Sequence, residues 1–172
     1  TNALNDYTTG ITTQRGEGSG ITVSDCIFMN GSNGIYSEGP YYGTLGYSNI
    51  TIQNSIFTNT DYPVYIQKSP DVKISGNQFS SNITAISLSY ITGISYIKNN
   101  KIKSSGTYGS FNGGTCMSLS NVTGSASNPV QITNNIIYTD QNSAQFMIAL
   151  NCGFSSYIEM NHNNLISDNV TF

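Results

Sequence analysis

A chain of 172 residues is long enough for one domain, and its net charge of −3 with only six Lys and Arg gives no basic patch of the kind nucleic-acid binding needs. No run of about 18 apolar residues occurs, which excludes a membrane-spanning helix. The three cysteines, Cys26, Cys116 and Cys152, stand in no metal-ligand spacing, so neither a disulfide framework nor a metal site is expected; they read as small residues in tight places. No cofactor motif is present.

From the N-terminus, residues 1–13 read as the end of a coil, with Leu4 and Ile11 seven residues apart. The first complete repeat follows: Ile21 and Val23, a turn at Asp25-Cys26, then Phe28 pointing back inside. The clearest copy is Asn49-Ile50-Thr51-Ile52-Gln53-Asn54-Ser55-Ile56-Phe57, in which Ile50 and Ile52 alternate with Thr51 and Gln53 as in a half-buried strand. Further copies are anchored at Ile74, Ile97, Ile132 and Met160, with Phe79, Ile102, Ile137 and Leu165 five residues later. Self-similarity of this kind marks a solenoid.

The anchors are spaced by 29, 22, 23, 35 and 28 residues, so the bare coil is about 22 residues and the longer spacings hold insertions. These fall at roughly 37–48, 104–115, 124–128 and 141–144. Each coil is expected to carry three short strands. The third holds Ile35, Val64-Ile66, Ile86-Leu88, Met117-Leu119 and Met147 or Ile148. Two residues before the anchors stand Ile21, Ile50, Val72, Ser95, Val130 and Ile158. Ser95 breaks the apolar pattern, and Ile94 replaces it if the strand slips. Leu4 and Phe172 both fall inside coils, so residues 1–172 read as a single segment cut from a longer solenoid at both ends. Such ends invite association.

Asp25, Asn54, Gly76, Asn99, Asn134 and His162 align in one turn column. Asn77, Asn100, Asn135 and Asn163 fill most of the next. A sharp two-residue corner needs dihedrals that Asn, Asp and Gly tolerate best, and stacked Asn side chains can bond along the column.

The repeated I-x-I-x-N-N-x-I pattern resembles the right-handed parallel β-helix of the pectate-lyase-like superfamily, which includes polysaccharide lyases, polygalacturonases and bacteriophage tailspikes. The resemblance implies an all-β fold of about six coils. It also implies that the strand of Ile35, Val64, Ile86 and Met117 belongs to the sheet whose face carries substrates, and it implies a trimer if the protein is tailspike-like. The polygalacturonase signatures, Asp-Asp, His-Gly and Arg-x-Lys, are absent. Arg15, the one arginine, lies in a Gly-rich stretch, and His162, the one histidine, lies in the turn column.

Among the carboxylates, Glu38 and Asp61 border the third strand in adjacent coils. They form the best available catalytic pair, since glycoside hydrolysis needs two at about 5–10 Å. The aromatic signal is denser. Tyr36 and Tyr65 hold the same outward position in adjacent coils, Tyr41 and Tyr42 come from the 37–48 insertion, and Tyr62 precedes Val64. Tyrosine offers a flat apolar face and a hydroxyl, the two features that contact with a sugar ring requires. The reading is an extracellular or virion-surface segment that binds a polysaccharide or cell-surface glycan. An active lyase or hydrolase and a ligand-free stalk are the rivals.

Overall fold

The computed structural model describes residues 9–14, 17–40, 46–105, 107–108, 111–139 and 146–167. Those residues form a parallel β-helix. The anchor strands Thr22–Ser24, Ile50–Gln53, Val72–Ser75, Tyr96–Lys98, Val130–Thr133 and Ile158–Asn161 make one six-stranded sheet, each coil pairing with the next. Val23, Ile52, Ile74, Ile97, Ile132 and Met160 lie in strict register across it. Apart from Gly18–Ser19 and Tyr47–Ser48, which pair by themselves, the other strands curl into a larger sheet that makes the remaining two walls. In it Phe28, Phe57, Phe79, Ile102, Ile137 and Leu165 form the second expected column.

Both columns are buried through the middle of the solenoid, and both open at the last described coil, where Met160 is 41% and Leu165 53% exposed. A coil buries its apolar side chains only against its neighbours, and among the described residues that coil has a neighbour on one side. The phenylalanines stack as a pile: Phe28 and Phe57 have centroids 4.7 Å apart, and Phe57 and Phe79 4.9 Å. The pile leaves no room beside it. A Cβ at Gly34 would sit 2.7 Å from the Phe57 ring, and one at Gly10 2.6 Å from Phe28.

The expected turn column is present in full. Asp25, Asn54, Gly76, Asn99, Asn134 and His162 all have positive φ, between 51° and 69°. Behind it runs a buried amide ladder. The Asn77 side chain donates to Asn100 Oδ1 at 3.0 Å, Asn100 to Asn135 at 3.0 Å and Asn135 to Asn163 at 2.9 Å. Each Nδ2 also donates to a backbone carbonyl of the preceding coil: Ile52 for Asn77, Ile74 for Asn100, Ile97 for Asn135 and Ile132 for Asn163. Ser55 and Cys26 continue the column, with the Cys26 amide donating to Ser55 Oγ.

Four expectations are corrected. The strand at Ser95 does not slip. Ser95 stays in the buried position at 3% exposure, its Oγ accepting from the Val72 amide, while Ile94 is 58% exposed. In the coils anchored at Val23 and Ile52 the second and third strands are not separate: Ile27–Glu38 and Ile56–Gln67 each run through both, bent at Asn30 and Asn59, which have positive φ. In the coil anchored at Ile132 the partner of Met117 is Leu150, with Met147 and Ile148 opposite Gly114 and Thr115. The first insertion leaves the sheet after Glu38 rather than at Ser37. Its stem closes where Gly46 donates to the Lys68 carbonyl and Lys68 Nζ to the Pro40 carbonyl.

Candidate functional site

The third-strand wall faces outward with two axial columns. One reads Thr12, Tyr36, Tyr65, Ser87, Ser118 and Asn151, and the other Gln14, Glu38, Gln67, Ser89, Ser120 and Gly153. Alternation along each strand puts these side chains outside, because their neighbours Ile35, Val64, Ile66, Ile86, Leu88, Met117 and Leu119 are buried. The wall therefore has a step. Two tall aromatic side chains stand beside a terrace of four serines.

Tyr36 and Tyr65 stack with centroids 5.0 Å apart and an interplanar angle of 5°. The strand spacing of about 4.8 Å imposes that separation. Stacking covers one face of each ring. The other face of Tyr65 looks toward the next coil, where its register partner is Ser87, a side chain too short to cover it. Tyr36 Oη donates to Glu38 Oε2 at 3.0 Å, which fixes the hydroxyl end of the pair. Burial, and next the Glu38 carboxylate, push the Tyr65 phenol pKa up, so Tyr65 remains a hydrogen-bond donor at neutral pH.

At the other edge of the tyrosines lies a depression of about 460 Å³, bounded by Tyr36, Tyr65, Tyr62, Asp61, Asn33 and Ile83. Asp61 Oδ1 accepts from Asn82 Nδ2 at 3.0 Å. Asn82 is also the end of an exposed amide run, donating to Asn59 at 3.3 Å, which donates to Asn30 at 2.8 Å. This second run follows the bend of the two long strands and was not anticipated from the sequence. Its signal was there: Asn30 and Asn59 stand at the same distance after Phe28 and Phe57.

The structure thus brings together Tyr36, Tyr62, Tyr65 and Asp61. It does not bring Glu38 to Asp61. Glu38 pairs with Gln67, which lies six residues along Ile56–Gln67 from Asp61, a contour of about 20 Å at strand rise. A glycosidase carboxyl pair sits at roughly 5–10 Å. Tyr41 and Tyr42 lie outside the described residues, as does Arg15. His162 is exposed at its turn with φ 55°. Among the described residues no group of three or more His, Cys, Asp or Glu is placed to hold a metal ion, and no helix is long and apolar enough to cross a membrane.

A family model described as right-handed β-helix region matches residues 9–171. No curated protein and no solved structure matches the chain.

Proposed function

The chain belongs to the right-handed β-helix region family, and on that premise we propose that it is an extracellular or virion-surface shaft that binds a glycan along its third-strand wall, in the manner of a tailspike. The observation that carries this reading is the stacked Tyr36–Tyr65 pair ending against a serine terrace. A sugar ring has an apolar face of C–H groups and a rim of hydroxyls. The uncovered face of Tyr65 meets the first, and the hydroxyls of Ser87, Ser118, Ser89 and Ser120 meet the second. The terrace runs along the axis, so successive sugars of a chain have successive coils to lie on. Asp61 and Asn82 add a charged acceptor and an amide at the edge. The resemblance to the pectate-lyase-like superfamily, whose substrates lie along the corresponding face, points the same way. The separation of Glu38 from Asp61 favours binding over hydrolysis by that pair.

Screening the protein on a glycan array, followed by titration of the best ligand, tests the reading. Tyr36→Ala with Tyr65→Ala is expected to weaken binding about tenfold or more, equivalent to roughly 1.4 kcal/mol, with the far-UV spectrum unchanged because both rings point outward. Equal binding by parent and double variant would remove the tyrosine step from the site.

A further inference from the structure

The outward face of the second-strand wall holds a different site. A depression of about 500 Å³ runs along it, floored by two axial columns. Ile56, Gln78, Lys101 and Ile136 form one, and Thr58, Ser80, Lys103 and Tyr138 the other. Lys101 and Lys103 stand two residues apart on one strand and one face, so their Cα atoms are about 6.6 Å apart. Lys103 Nζ lies 5.2 Å from the centre of the Tyr138 ring, and Ile56 and Ile136 leave apolar surface open at either end, 38% and 41% exposed. No carboxylate is among the described residues that line it.

The lysines are part of a larger concentration. Just across the Asn99-Asn100 turn, Lys98 faces outward from the anchor sheet, packed on Tyr96 at 4.8 Å, and Tyr96 is the register partner of Lys73 in the coil before. Four of the chain's six Lys and Arg residues are thus carried by two adjacent coils on either side of this corner. Lys98, Lys101 and Lys103 fall within six residues of sequence, and coil registry adds Lys73 from the coil before; in a protein of net charge −3, such a local reversal of sign recruits anions.

We propose that this trough is a second binding site, separate from the tyrosine step, for phosphate or sulfate ester groups carried on a glycan. The cations are lysines. Compact ammonium groups act as point charges, and a tetrahedral oxyanion has several oxygens that can serve Lys101 and Lys103 together. Ile136, Tyr138 and Ile56 supply the apolar surface on which the ring bearing the ester rests. An acidic peptide fits less well. The central strands Gln78–Ser81 and Lys101–Ser104 are each hydrogen-bonded on both sides, so they offer no backbone edge for an added strand.

The test is binding to immobilised dextran sulfate at about 0.15 M salt, with unsulfated dextran, polygalacturonate and duplex DNA as comparators. Dextran sulfate is expected to bind and unsulfated dextran not to. Lys101→Gln with Lys103→Gln is expected to weaken dextran sulfate binding about tenfold or more, while Tyr36→Ala with Tyr65→Ala leaves it unchanged. Both lysines face solvent, and if the double variant fails to fold, Lys101→Gln alone gives the reading with a smaller loss in the same direction. Unchanged binding by the lysine variants overturns the site. Loss of binding in the tyrosine variant moves the sulfate to the other wall and also overturns it. Polygalacturonate or DNA binding as tightly as dextran sulfate overturns the assignment to esterified glycans.

Discussion

At the corner after the anchor strand and at the corner after the third strand, the chain takes the same left-handed step. The first corner has φ of 51° at Asn54 and 58° at Asn99; the second has 55° at Lys68, 54° at Tyr90, 54° at Asn121 and 54° at Phe154. The corner amide bonds to the neighbouring coil in both places: Asn54 and Asn99 to the Ser75 and Thr133 carbonyls, Lys68 and Tyr90 to those of Ser89 and Ser120. In both, the following residue turns inward. Behind the first corner it is Ser55, Asn77, Asn100 or Asn135; behind the second it is Ser69, Ile91 or Val122, all buried. At the second corner the side chains of Tyr90 and Phe154 stand in solvent, 51% and 92% exposed, while those of Lys68 and Asn121 are half-buried. The comparison teaches that the left-handed step favours asparagine and aspartate, as at Asp25, Asn54, Asn99, Asn134 and Asn121, without requiring them. A left-handed step costs roughly 1–2 kcal/mol for a residue with a Cβ, and Lys, Tyr and Phe bear it where the backbone bonds are made. The inner column of asparagines reports something else: an inward amide accepts from the amide of the adjacent rung and donates to a carbonyl of the preceding coil at once.

The comparison breaks most visibly at Asn100. Asn100→Ala takes the acceptor from the Asn77 amide and Asn77 Nδ2 and the side-chain donor from the Ile74 carbonyl in a buried column, while Asn135 Oδ1 keeps the residue 100 amide. At about 1–3 kcal/mol per orphaned group, with some relaxation, the expected loss is about 3–5 kcal/mol, read by urea denaturation. If Asn100→Ala proves as mild as a surface substitution, the ladder is ornament to the turn.

A polar group turned inward on another wall extends the comparison to pH. Cys116 is buried and its thiol donates to the Tyr138 carbonyl at 3.4 Å. Burial pushes its pKa up to about 12 from 9.0, against a small opposing backbone hydrogen bond. Below pH 9 folded and unfolded chains both hold the proton, so the group has no effect. Between pH 9 and about 12 only the unfolded chain releases it, and stability falls as pH rises, by about 1 kcal/mol at pH 10. Cys116→Ala should lose that slope, after allowance for its own cavity. Unfolding curves of parent and variant at pH 8 and pH 10 measure it; identical differences at both would show a solvated thiol.

The smallest effect is expected at the second corner. Tyr90→Gly removes a Cβ from a left-handed residue whose ring is half exposed, with no inward partner to lose. Relief of strain outweighs glycine's extra chain entropy by a margin of under about 1 kcal/mol, so the midpoint should hold or rise slightly. A clear destabilisation would mean that the ring supports the corner.

The anchors were legible because a buried position in a solenoid is buried in every coil, and six aligned rows average out the exceptions. The corners after the anchors were legible for the reason just given, since inward amides leave Asn in the sequence. The second corner was not, because Lys68, Tyr90 and Phe154 share a dihedral and no chemistry. Ser95 misled because its hydroxyl takes the Val72 amide and so holds an apolar position without an apolar side chain. For the candidate site, Tyr36 and Tyr65 were visible as a repeated outward position, whereas the distance from Glu38 to Asp61 required the register. The lysine corner was legible only in part: Lys98, Lys101 and Lys103 stand within six residues, but the walls they face and the approach of Lys73 from the coil before required the register.

The bonds that join one coil to the next, in the sheets and in the amide ladder alike, run along the axis of the solenoid. Tension applied along that axis therefore loads the interfaces between coils in series, and within an interface the outermost bonds carry it first. Such a rod yields by peeling. Since 22 residues separate Ser55 from Asn77, each unwound coil of that size releases about 75 Å of slack before the next is loaded. Mechanically the shaft is a reel with a brake at every turn, stiff under compression and extensible in discrete lengths when pulled.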